Sequence, residues 1–295
     1  MGKAFFTLLF VFNSLLAWTQ QFSLSVGVYT GLTSSYTSDK GINKDPRYQG
    51  RYEAKFAPIG VNIGVDYEGF GLIFAPGIIN VGQNFYVTNT LGGQEGLRKI
   101  DLQYLNVPIA LKVHLINLTF FKLSAVASIA PAILLQGKEE INHNDSKLQF
   151  PPEVYPILPP DYTVEYDGVL VPKIDQYSLS QKKDFKSFQL FAGAGFRADL
   201  DVSNHWRVAF DFRVNYGIFN PRTDEYSQRL KSNILLYELP GERRDMFAQV
   251  AIGISRYIEF EKSDKERKKQ LKGTTKKYKP AKYPGTKPRT SKPKG

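Results

Sequence analysis

The stretch WRVAFDFRVNYGI, Trp206 to Ile218, alternates one large apolar residue with one polar or small residue. The polar positions include Arg207, Asp211 and Arg213. Because the side chains of a β-strand point alternately to its two faces, this spacing predicts a strand with one apolar and one charged face. An amphipathic helix would instead place its apolar residues three and four positions apart.

Seven other segments of the chain repeat this two-residue period. They begin near Phe22, Ile59, Leu72, Ile100, Phe121, Ser187 and Met246. The opposite face of these segments carries mainly Gly, Ser, Asn and charged residues. The sequence therefore predicts an all-β fold of eight strands.

Two of the eight segments are irregular. Pro76 and Gly77 interrupt the third segment and predict a kink or bulge there. In the fourth segment the apolar positions change parity between Tyr104 and Leu105. A one-residue β-bulge at this point would produce such a change.

The first 20 residues have the layout of a secretory signal peptide. Lys3 precedes an apolar run from Ala4 to about Trp18, and polar residues follow it. A short N-terminal membrane anchor is the alternative, but the run is shorter than the roughly 20 residues that cross a bilayer as a helix. Cysteine is absent, so disulfides are excluded, and no later apolar run has the length of a membrane helix. We expect an exported chain.

Alternation alone does not distinguish a membrane barrel from a soluble exported β-sandwich, but the connections do. Three connections are short, at 68–71, 114–119 and 201–205. The alternate ones are long, at 33–55, 88–98, 137–184 and 220–244. Short turns at one end and long loops at the other are typical of outer-membrane barrels. We therefore expect residues 21–260 to form an eight-stranded antiparallel transmembrane β-barrel in the cell outer membrane, with long extracellular loops.

Several of these strands carry motifs of a known family. YLNVPIALKV (Tyr104–Val113), FQLFAGAGFRADL (Phe188–Leu200) and WRVAFDFRVNYGIFN (Trp206–Asn220) resemble strands of the PorT-like outer-membrane β-barrels of Bacteroidetes-type bacteria. FFKLSAVASIAPAILL, which starts at Phe120, fits the following strand of that family loosely. The resemblance covers about residues 22–260. It implies the barrel fold and, because the namesake belongs to the type IX secretion and gliding machinery, a role accessory to protein secretion or envelope assembly.

The net charge of +11 comes from the C-terminal segment, residues 261–295. This segment has 14 Lys and Arg and 3 Asp and Glu, of the 39 and 28 in the whole chain, so residues 1–260 have 25 of each. A nucleic-acid-binding protein normally has its positive patch on the folded body. A neutral body in an exported protein therefore argues against a nucleic-acid partner.

The same segment is rich in lysine and proline and has few apolar residues, so we expect a disordered periplasmic tail. Its expected partner is anionic: peptidoglycan, a periplasmic or secretion-machinery protein with an acidic face, or lipid headgroups. A solvated extension with no partner is the alternative. The residues that we expect to contact the anion are Lys268, Lys269, Lys276, Lys277, Lys279 and Lys282.

Five charged residues lie on the polar faces of the sixth and seventh segments. They are Arg197, Asp199, Arg207, Asp211 and Arg213. Side chains fill the interior of an eight-stranded barrel, and buried charges need partners. We therefore expect these five residues to form an ion-pair network that plugs the lumen. A narrow or loop-gated pore is the alternative.

Nothing in the sequence predicts a cofactor, a metal site or catalytic residues. His114, His143 and His205 fall in different connections, without the spacing of metal ligands. An outer-membrane hydrolase would need a Ser and a His that converge at the loop end of the barrel. We expect a protein that is not an enzyme and that contacts outer-membrane lipid.

The third long loop, residues 138–184, contains the segment FPPEVYPILPPDY, Phe150 to Tyr162. Exposed aromatic residues and extended proline segments are common anchors for protein partners. This loop is thus a candidate docking face for a protein. The alternative is a surface loop that proline stiffens.

Overall fold

The computed structural model describes residues 22–260, except residues 68, 119, 152–154, 156–157, 204 and 233–235. Its strands, in chain order, are β1 (Phe22–Asp39), β2 (Tyr48–Arg51), β3 (Ala54–Tyr67), β4 (Phe70–Phe74), β5 (Gly77–Val81), β6 (Asn84–Thr88), β7 (Gln94–Asn106), β8 (Ile109–Asn117), β9 (Phe121–His143), β10 (Ser146–Leu148), β11 (Thr163–Glu165), β12 (Gly168–Val171), β13 (Ile174–Gln181), β14 (Phe188–Asp201), β15 (Trp206–Gly217) and β16 (Arg243–Phe260). The helices are α1 (Asp224–Ser232) and the 3₁₀ turns Ile42–Lys44 and Lys182–Asp184. None of the described helices is long and apolar enough to cross a membrane.

Eight of the strands form a closed ring in the described part of the chain. The order around the ring is β14, β15, β16, β1, β3, β4, β8 and β9, and β9 pairs with β14 to close it. The closing ladder is long and antiparallel, from Phe188 opposite Ile133 to Leu200 opposite Phe121. A closed sheet leaves no free edge, which is what a barrel requires. The predicted eight-stranded all-β barrel is confirmed.

Three short turns lie at one end of this ring. They connect Tyr67 to Phe70, Asn117 to Phe121 and Asp201 to Trp206. We call this the turn end and the opposite end the loop end. The predicted short connections are therefore present.

The long connections contain more strand than we predicted. β1 continues to Asp39 and β9 to His143, and β7 and β13 both pair with the last part of β9. The third connection also holds a separate three-stranded sheet, in the order β10, β12, β11. The barrel wall thus extends at the loop end, because the backbone groups of the last part of β9 find partners in β7 and β13, and β6 and β2 continue the sheet beyond β7.

Large apolar side chains cover the outside of the turn half of the barrel. Phe210, Phe212 and Val214 of β15 are 46–47% exposed, whereas Arg207 on the inner face of the same strand is 1% exposed. We call this outer surface the apolar belt. Towards the loop end the outward residues become polar, as at Lys99, Asp101, Lys138 and Glu140.

The parity change at Tyr104 and Leu105 is not a bulge in that strand, so this prediction was wrong. Tyr104 points into the barrel, where it is 1% exposed, and Leu105 points outwards and is 39% exposed. The alternation continues through β7 and β8 with even residues inside. Between the apolar belt and the loop end, the apolar side chains of the strands face the inside of the barrel. Within the belt, they face outwards. The register shift instead lies opposite, where Leu134 and Gln136 of β9 pair with Tyr104 and Gln103.

Pro76 and Pro108 mark the places where two long segments change partners. β4 pairs with β8, but after Pro76 the chain continues as β5, which pairs with β7. Pro108 separates β7 from β8 in the same way. Proline lacks an N–H group, so it fits at a break in the ladder. The predicted interruption of the third segment is present.

Candidate functional site

An unbroken series of ion pairs crosses the lumen within the apolar belt. We call it the lumen chain; its members alternate in sign in the order Arg213, Asp211, Arg197, Asp199, Lys112, Asp66, Arg207 and Asp201. The successive N–O distances are 2.5, 3.4, 2.8, 3.0, 2.6, 2.5 and 2.6 Å. Four cations thus face four carboxylates. Since each charge has a partner, the chain can be buried without a large desolvation penalty.

The structure brings together all five charged residues that the sequence singled out. Arg197 lies directly opposite Asp211 in the ladder between β14 and β15, and Asp201 lies opposite Arg207. Inward positions recur every second residue, so Asp199 and Arg213 join the same face. Their arrangement follows from the register of one strand pair.

Sequence reasoning missed three members of the lumen chain, Asp66, Lys112 and Asp201. Lys112 belongs to the motif YLNVPIALKV and links Asp66 of β3 to Asp199 of β14. Asp66 and Lys112 do have the parity of inward residues on their own strands. This parity indicates that both residues lie on the inner face of their strands. It does not show that strands so distant in sequence meet across the lumen.

Gly71 makes room for one of these contacts. It lies between Asp66 and Lys112, opposite both in the two adjoining ladders. A Cβ atom at this position would collide with Asp66 Oδ1 and stand 2.8 Å from Lys112 Cε. A glycine is therefore required if the carboxylate and the ammonium are to meet over β4.

The space beside the lumen chain is small. A cavity of about 30 Å³ lies against Tyr29, Asn62, Arg197, Asp211 and Arg213. The Nε of Arg213 is buried there without a hydrogen-bond partner. This volume holds about one water molecule, and a water would satisfy that donor.

An apolar layer closes the lumen on the loop side of the lumen chain. Tyr104, Phe191 and Phe247 are each at most 1% exposed. Their rings meet edge to face, with centroids 5.8 Å apart for Tyr104 and Phe191 and 5.3 Å apart for Phe191 and Phe247. Aromatic pairs favour this geometry. The three buried rings form an apolar barrier between the lumen chain and the loop end.

A second set of ion pairs lies beyond the apolar layer, at the loop end. It closes on itself in the order Arg98, Glu139, Arg243, Asp39, Arg222 and Glu238, and we call it the upper ring. The six N–O distances, starting between Arg98 Nε and Glu139, are 2.7, 2.9, 2.9, 3.1, 2.7 and 3.0 Å. All six side chains are at most 1% exposed. Three cations thus balance three carboxylates in a closed ring.

The three arginines of the upper ring keep two of its carboxyl groups ionised. Burial raises the pKa of Asp39, but Arg222 and Arg243 outweigh burial and hold it below its ordinary value. Burial acts on Glu139 in the same way, and Arg243 and Arg98 hold its pKa well below 4.5. For Glu238 burial prevails over Arg222 and raises the pKa.

The fourth loop contributes to the upper ring, which the sequence did not predict. Arg222 precedes α1, and Glu238 follows it. Tyr226 of α1 donates a short hydrogen bond to Glu238, and Arg98 donates one of 2.7 Å to the carbonyl of Tyr237. The loop is thus held over the end of the barrel, although its sequence has no period to indicate this.

Two aromatic residues of the proline-rich segment in the third loop, Phe150 and Tyr155, point inwards rather than to the surface. Phe150 and Tyr155 are each 6% exposed. They surround Arg47, whose guanidinium carbon lies 4.1 Å from the centre of the Phe150 ring and which pairs with Asp45 at 2.6 Å. These two rings therefore stabilise a buried cation and are not available as surface anchors. Among the described residues of this loop, the exposed large apolar ones are Val164, Tyr166, Leu170 and Tyr177, and Val164 and Tyr166 are the most exposed.

Ser124, His114 and Asp66 come together inside the turn half of the barrel. Ser124 Oγ lies 2.8 Å from His114 Nδ1, and His114 Nε2 lies 4.0 Å from Asp66. Ser124 is fully buried, and Asp66 already pairs with Lys112 and Arg207. A nucleophile must be reachable by its substrate, so this group is a structural contact within the lumen.

The remaining candidate residues are apart from these clusters. His143 contacts Tyr237 Oη at 3.0 Å, and His205 lies in a turn. The six lysines of the tail, Lys268, Lys269, Lys276, Lys277, Lys279 and Lys282, lie outside the described residues, as does the signal peptide.

Comparison with known families agrees with this architecture. Residues 18–221 match the model of the family described as outer membrane protein beta-barrel domain. The match covers more than half of the chain and includes most of the ring strands.

The chain belongs to the outer membrane protein beta-barrel domain family. It is therefore an outer-membrane β-barrel protein, located in the cell outer membrane, and lipid surrounds its apolar belt. The motifs resemble those of the PorT-like group. The family match identifies the broader family and not this group.

Solved structures of other outer-membrane proteins are similar to this barrel. Neisserial surface protein A (NspA) is 6% identical with a TM-score of 0.36, and the match covers 79% of this chain and 96% of that chain. OprG from Pseudomonas aeruginosa is 10% identical with a TM-score of 0.36, at 81% and 96% coverage. The outer membrane protease OmpT from Escherichia coli is 9% identical with a TM-score of 0.34, also at 81% and 96%. No curated protein sequence matches the chain.

Proposed function

We propose that this outer-membrane barrel is a non-conducting, non-catalytic scaffold that binds partners on both sides of the membrane, as an accessory to protein secretion or envelope assembly. The filled lumen carries this proposal. The inner positions of β16 pass all three features in turn. Arg243 belongs to the upper ring, Phe247 belongs to the apolar layer, and Gln249 lies beside Arg213 of the lumen chain. An ion would have to displace paired charges twice and cross the apolar layer between them.

The cost of opening such a lumen supports a closed barrel. Removing one partner from a buried ion pair costs about 3–5 kcal/mol. A pore through this lumen would break several such pairs at once. A barrel that conducts ions would instead need a continuous wet path between its two ends.

Single-channel recording in planar bilayers tests this part of the proposal. We expect the purified full-length barrel to give no conductance steps, even at high KCl concentration. Folding is checked on the same sample by the heat-modifiable gel band, since misfolded protein can perturb a bilayer. Discrete, reproducible steps from protein that passes this check would contradict the scaffold and favour a narrow pore.

The basic tail is the candidate contact on the periplasmic side. β16 ends at Phe260, at the turn end of the barrel, so residues 261–295 begin in the periplasm if the loop end faces outwards. Its excess of lysine fits an anionic partner, and the PorT-like motifs favour the secretion machinery or the envelope. We propose that peptidoglycan or an acidic periplasmic protein binds Lys268, Lys269, Lys276, Lys277, Lys279 and Lys282.

Retention on purified sacculi tests the peptidoglycan form of this proposal. We expect the 261–295 peptide to be retained at low salt and released at high salt, since exposed charges are screened. The control peptide carries glutamine at the six named lysines. Equal retention of both peptides, or none at low salt, would exclude peptidoglycan.

The hairpin of β11 and β12 in loop 138–184 is the candidate contact on the outer side. Val164 is 70% exposed and Tyr166 is fully exposed, so both are free to touch a partner protein. A photo-crosslinker at Tyr166 in native membranes should give one defined adduct. The same crosslinker at Asp161, also exposed in this loop, is the control. Identical adduct patterns would mean that the hairpin has no specific partner.

A further inference from the structure

A group of basic side chains lies at the loop-end edge of the apolar belt, on the side of β14 and β16. We call it the basic rim; its members are Lys182, Lys183, Lys186, Arg229, Lys231 and Arg244. Four acidic side chains of the described residues, Asp184, Asp224, Glu225 and Glu242, share this part of the surface, and Glu242 pairs with Lys40 at 2.9 Å. The basic rim therefore has an excess of positive charge on an otherwise neutral barrel.

Short contacts fix the basic rim in one place. Lys186 pairs with Asp224 at 2.9 Å, and its N–H donates to the carbonyl of Pro221 at 2.7 Å. Arg229 pairs with Asp184 at 3.3 Å, in the same 3₁₀ turn as Lys182 and Lys183. The chain segment between β15 and α1 holds these groups together.

Arg244 completes the basic rim on the other side of that segment. Its guanidinium donates a short hydrogen bond to the carbonyl of Ile218, at the end of β15. In the described residues, no carboxylate lies within 4.0 Å of Lys182, Lys183 or Arg244. Three cations are therefore free to bind an anion.

Aromatic and apolar side chains lie next to the basic rim, at the upper edge of the belt. Phe188, Ile218 and Phe219 are 39–49% exposed, and the rings of Phe188 and Phe219 are 6.2 Å apart. Phe188 is the first residue of β14, and Lys186 precedes it by two residues. Cations directly above lipid-facing aromatic residues are at the depth of lipid headgroups.

The opposite side of the barrel at this level has no such excess. Lys55 pairs with Asp101 at 2.8 Å, and Arg51 pairs with Glu53 at 2.6 Å. Each of these cations is balanced by a nearby carboxylate. The charge excess is therefore confined to one side, which indicates a site rather than a general attraction to the membrane surface.

We propose that the basic rim binds the phosphate groups of a phosphorylated glycolipid in the outer leaflet, whose acyl chains lie against Phe188 and Phe219. Lysine and arginine both bind phosphate, and arginine can do so with two parallel hydrogen bonds. The proposal rests on the outer-membrane location and on the orientation of the barrel, not on its scaffold role.

Lipid retention measured by native mass spectrometry tests the proposal on the folded full-length barrel. The probes are bisphosphorylated lipid A, its dephosphorylated form and inorganic phosphate. The variant is Lys182→Gln, Lys183→Gln and Lys186→Gln together, and the control is Arg51→Gln, Lys55→Gln and Lys99→Gln together, which removes the same charge from the other side. Each lysine near an anionic lipid surface contributes about 1 kcal/mol, or about fivefold.

We expect bisphosphorylated lipid A to bind wild type and the control triple equally, and the rim triple at least about tenfold more weakly. Dephosphorylated lipid A should bind all three proteins weakly. Equal weakening in the two triples would overturn the proposal, because it would show a general charge effect. Binding of inorganic phosphate as tight as that of lipid A would also overturn it, because the site would then recognise a free ion.

Discussion

Lys112 shows how much one residue can do in this barrel. Its ammonium is the link between Asp66 and Asp199, and so between two halves of the lumen chain. The motif YLNVPIALKV contains it, but the motif by itself indicated only a strand. The partners of Lys112 lie 46 and 87 residues away in sequence, and only the closed barrel brings them together.

Asp211→Ala should destabilise the barrel strongly. Asp211 is the shared partner of Arg197 and Arg213. The substitution therefore leaves Arg213 without its only carboxylate partner in the described part of the chain and removes one of the two partners of Arg197. We expect a loss of about 3 kcal/mol in the free energy of unfolding. The measurement is the temperature at which the heat-modifiable gel band disappears.

Asp101→Ala is the matched control for this change. Asp101 pairs with Lys55 on the surface, where its side chain is 66% exposed. Exposed pairs contribute at most about 1 kcal/mol, so the melting profile should stay close to that of wild type. If Asp211→Ala also melted like wild type, the lumen chain would have no role in stability.

At the scale of the element, β9 shows what the sequence could and could not predict. From Phe121 to Ile133 its odd residues face the lipid, and this alternation was readable directly. Beyond Leu135 the odd residues Glu139, Ile141 and His143 face the inside. The odd residues change face because β9 has one extra residue between Leu134 and Gln136, which the sequence pattern did not indicate. A two-residue period also does not tell what medium a face meets. The strands were therefore predictable, and the place where they leave the membrane was not.

Arginine scanning along β9 should locate that place. Ile129 is 59% exposed within the apolar belt, so Ile129→Arg should cost about 2–4 kcal/mol, as arginine does in the lipid-facing middle of a barrel. Gln136 is exposed on the same strand, and Gln136→Arg should change stability by about 0.5 kcal/mol or less. The check is reversible urea unfolding in lipid vesicles. Equal costs at both positions would place Gln136 inside the membrane.

At the scale of the whole molecule, the upper ring joins the barrel wall to the fourth loop. Asp39, Arg98, Glu139 and Arg243 come from four different strands, and Arg222 and Glu238 come from the loop. No sequence pattern predicts this ring. A loop has no two-residue period, and the six members of the ring are far apart in the sequence. Charge pairing at this distance in sequence becomes visible only in three dimensions.

The upper ring should make stability fall in acid. The pKa values of Asp39 and Glu139 are below their ordinary values of 3.8 and 4.5 in the folded protein. Their contribution is therefore fully present above about pH 4.5 and is lost as the pH falls below it, by about 1–3 kcal/mol per carboxylate. Glu238, with a raised pKa, acts in the opposite direction.

Melting temperatures between pH 7 and pH 3 check this effect, with Glu139→Gln as the informative variant. It should be less stable than wild type at pH 7, because Arg98 and Arg243 lose a charged partner. It should also lose less stability on acidification, since one carboxylate fewer takes up a proton. Parallel pH profiles for the two proteins would show that Glu139 does not titrate as described.

The lumen chain also constrains the order in which this protein can fold. Arg207 of β15 meets Asp66 of β3, and Asp199 of β14 meets Lys112 of β8, although the two strands of each ion pair are not adjacent in the ring. In a partly assembled sheet Arg207 would keep Asp201 and Asp199 would keep Arg197, but the ion pairs across the lumen would be missing. These last pairs form only when the ring closes, so we expect ring closure to add to the stability of the barrel in a cooperative step.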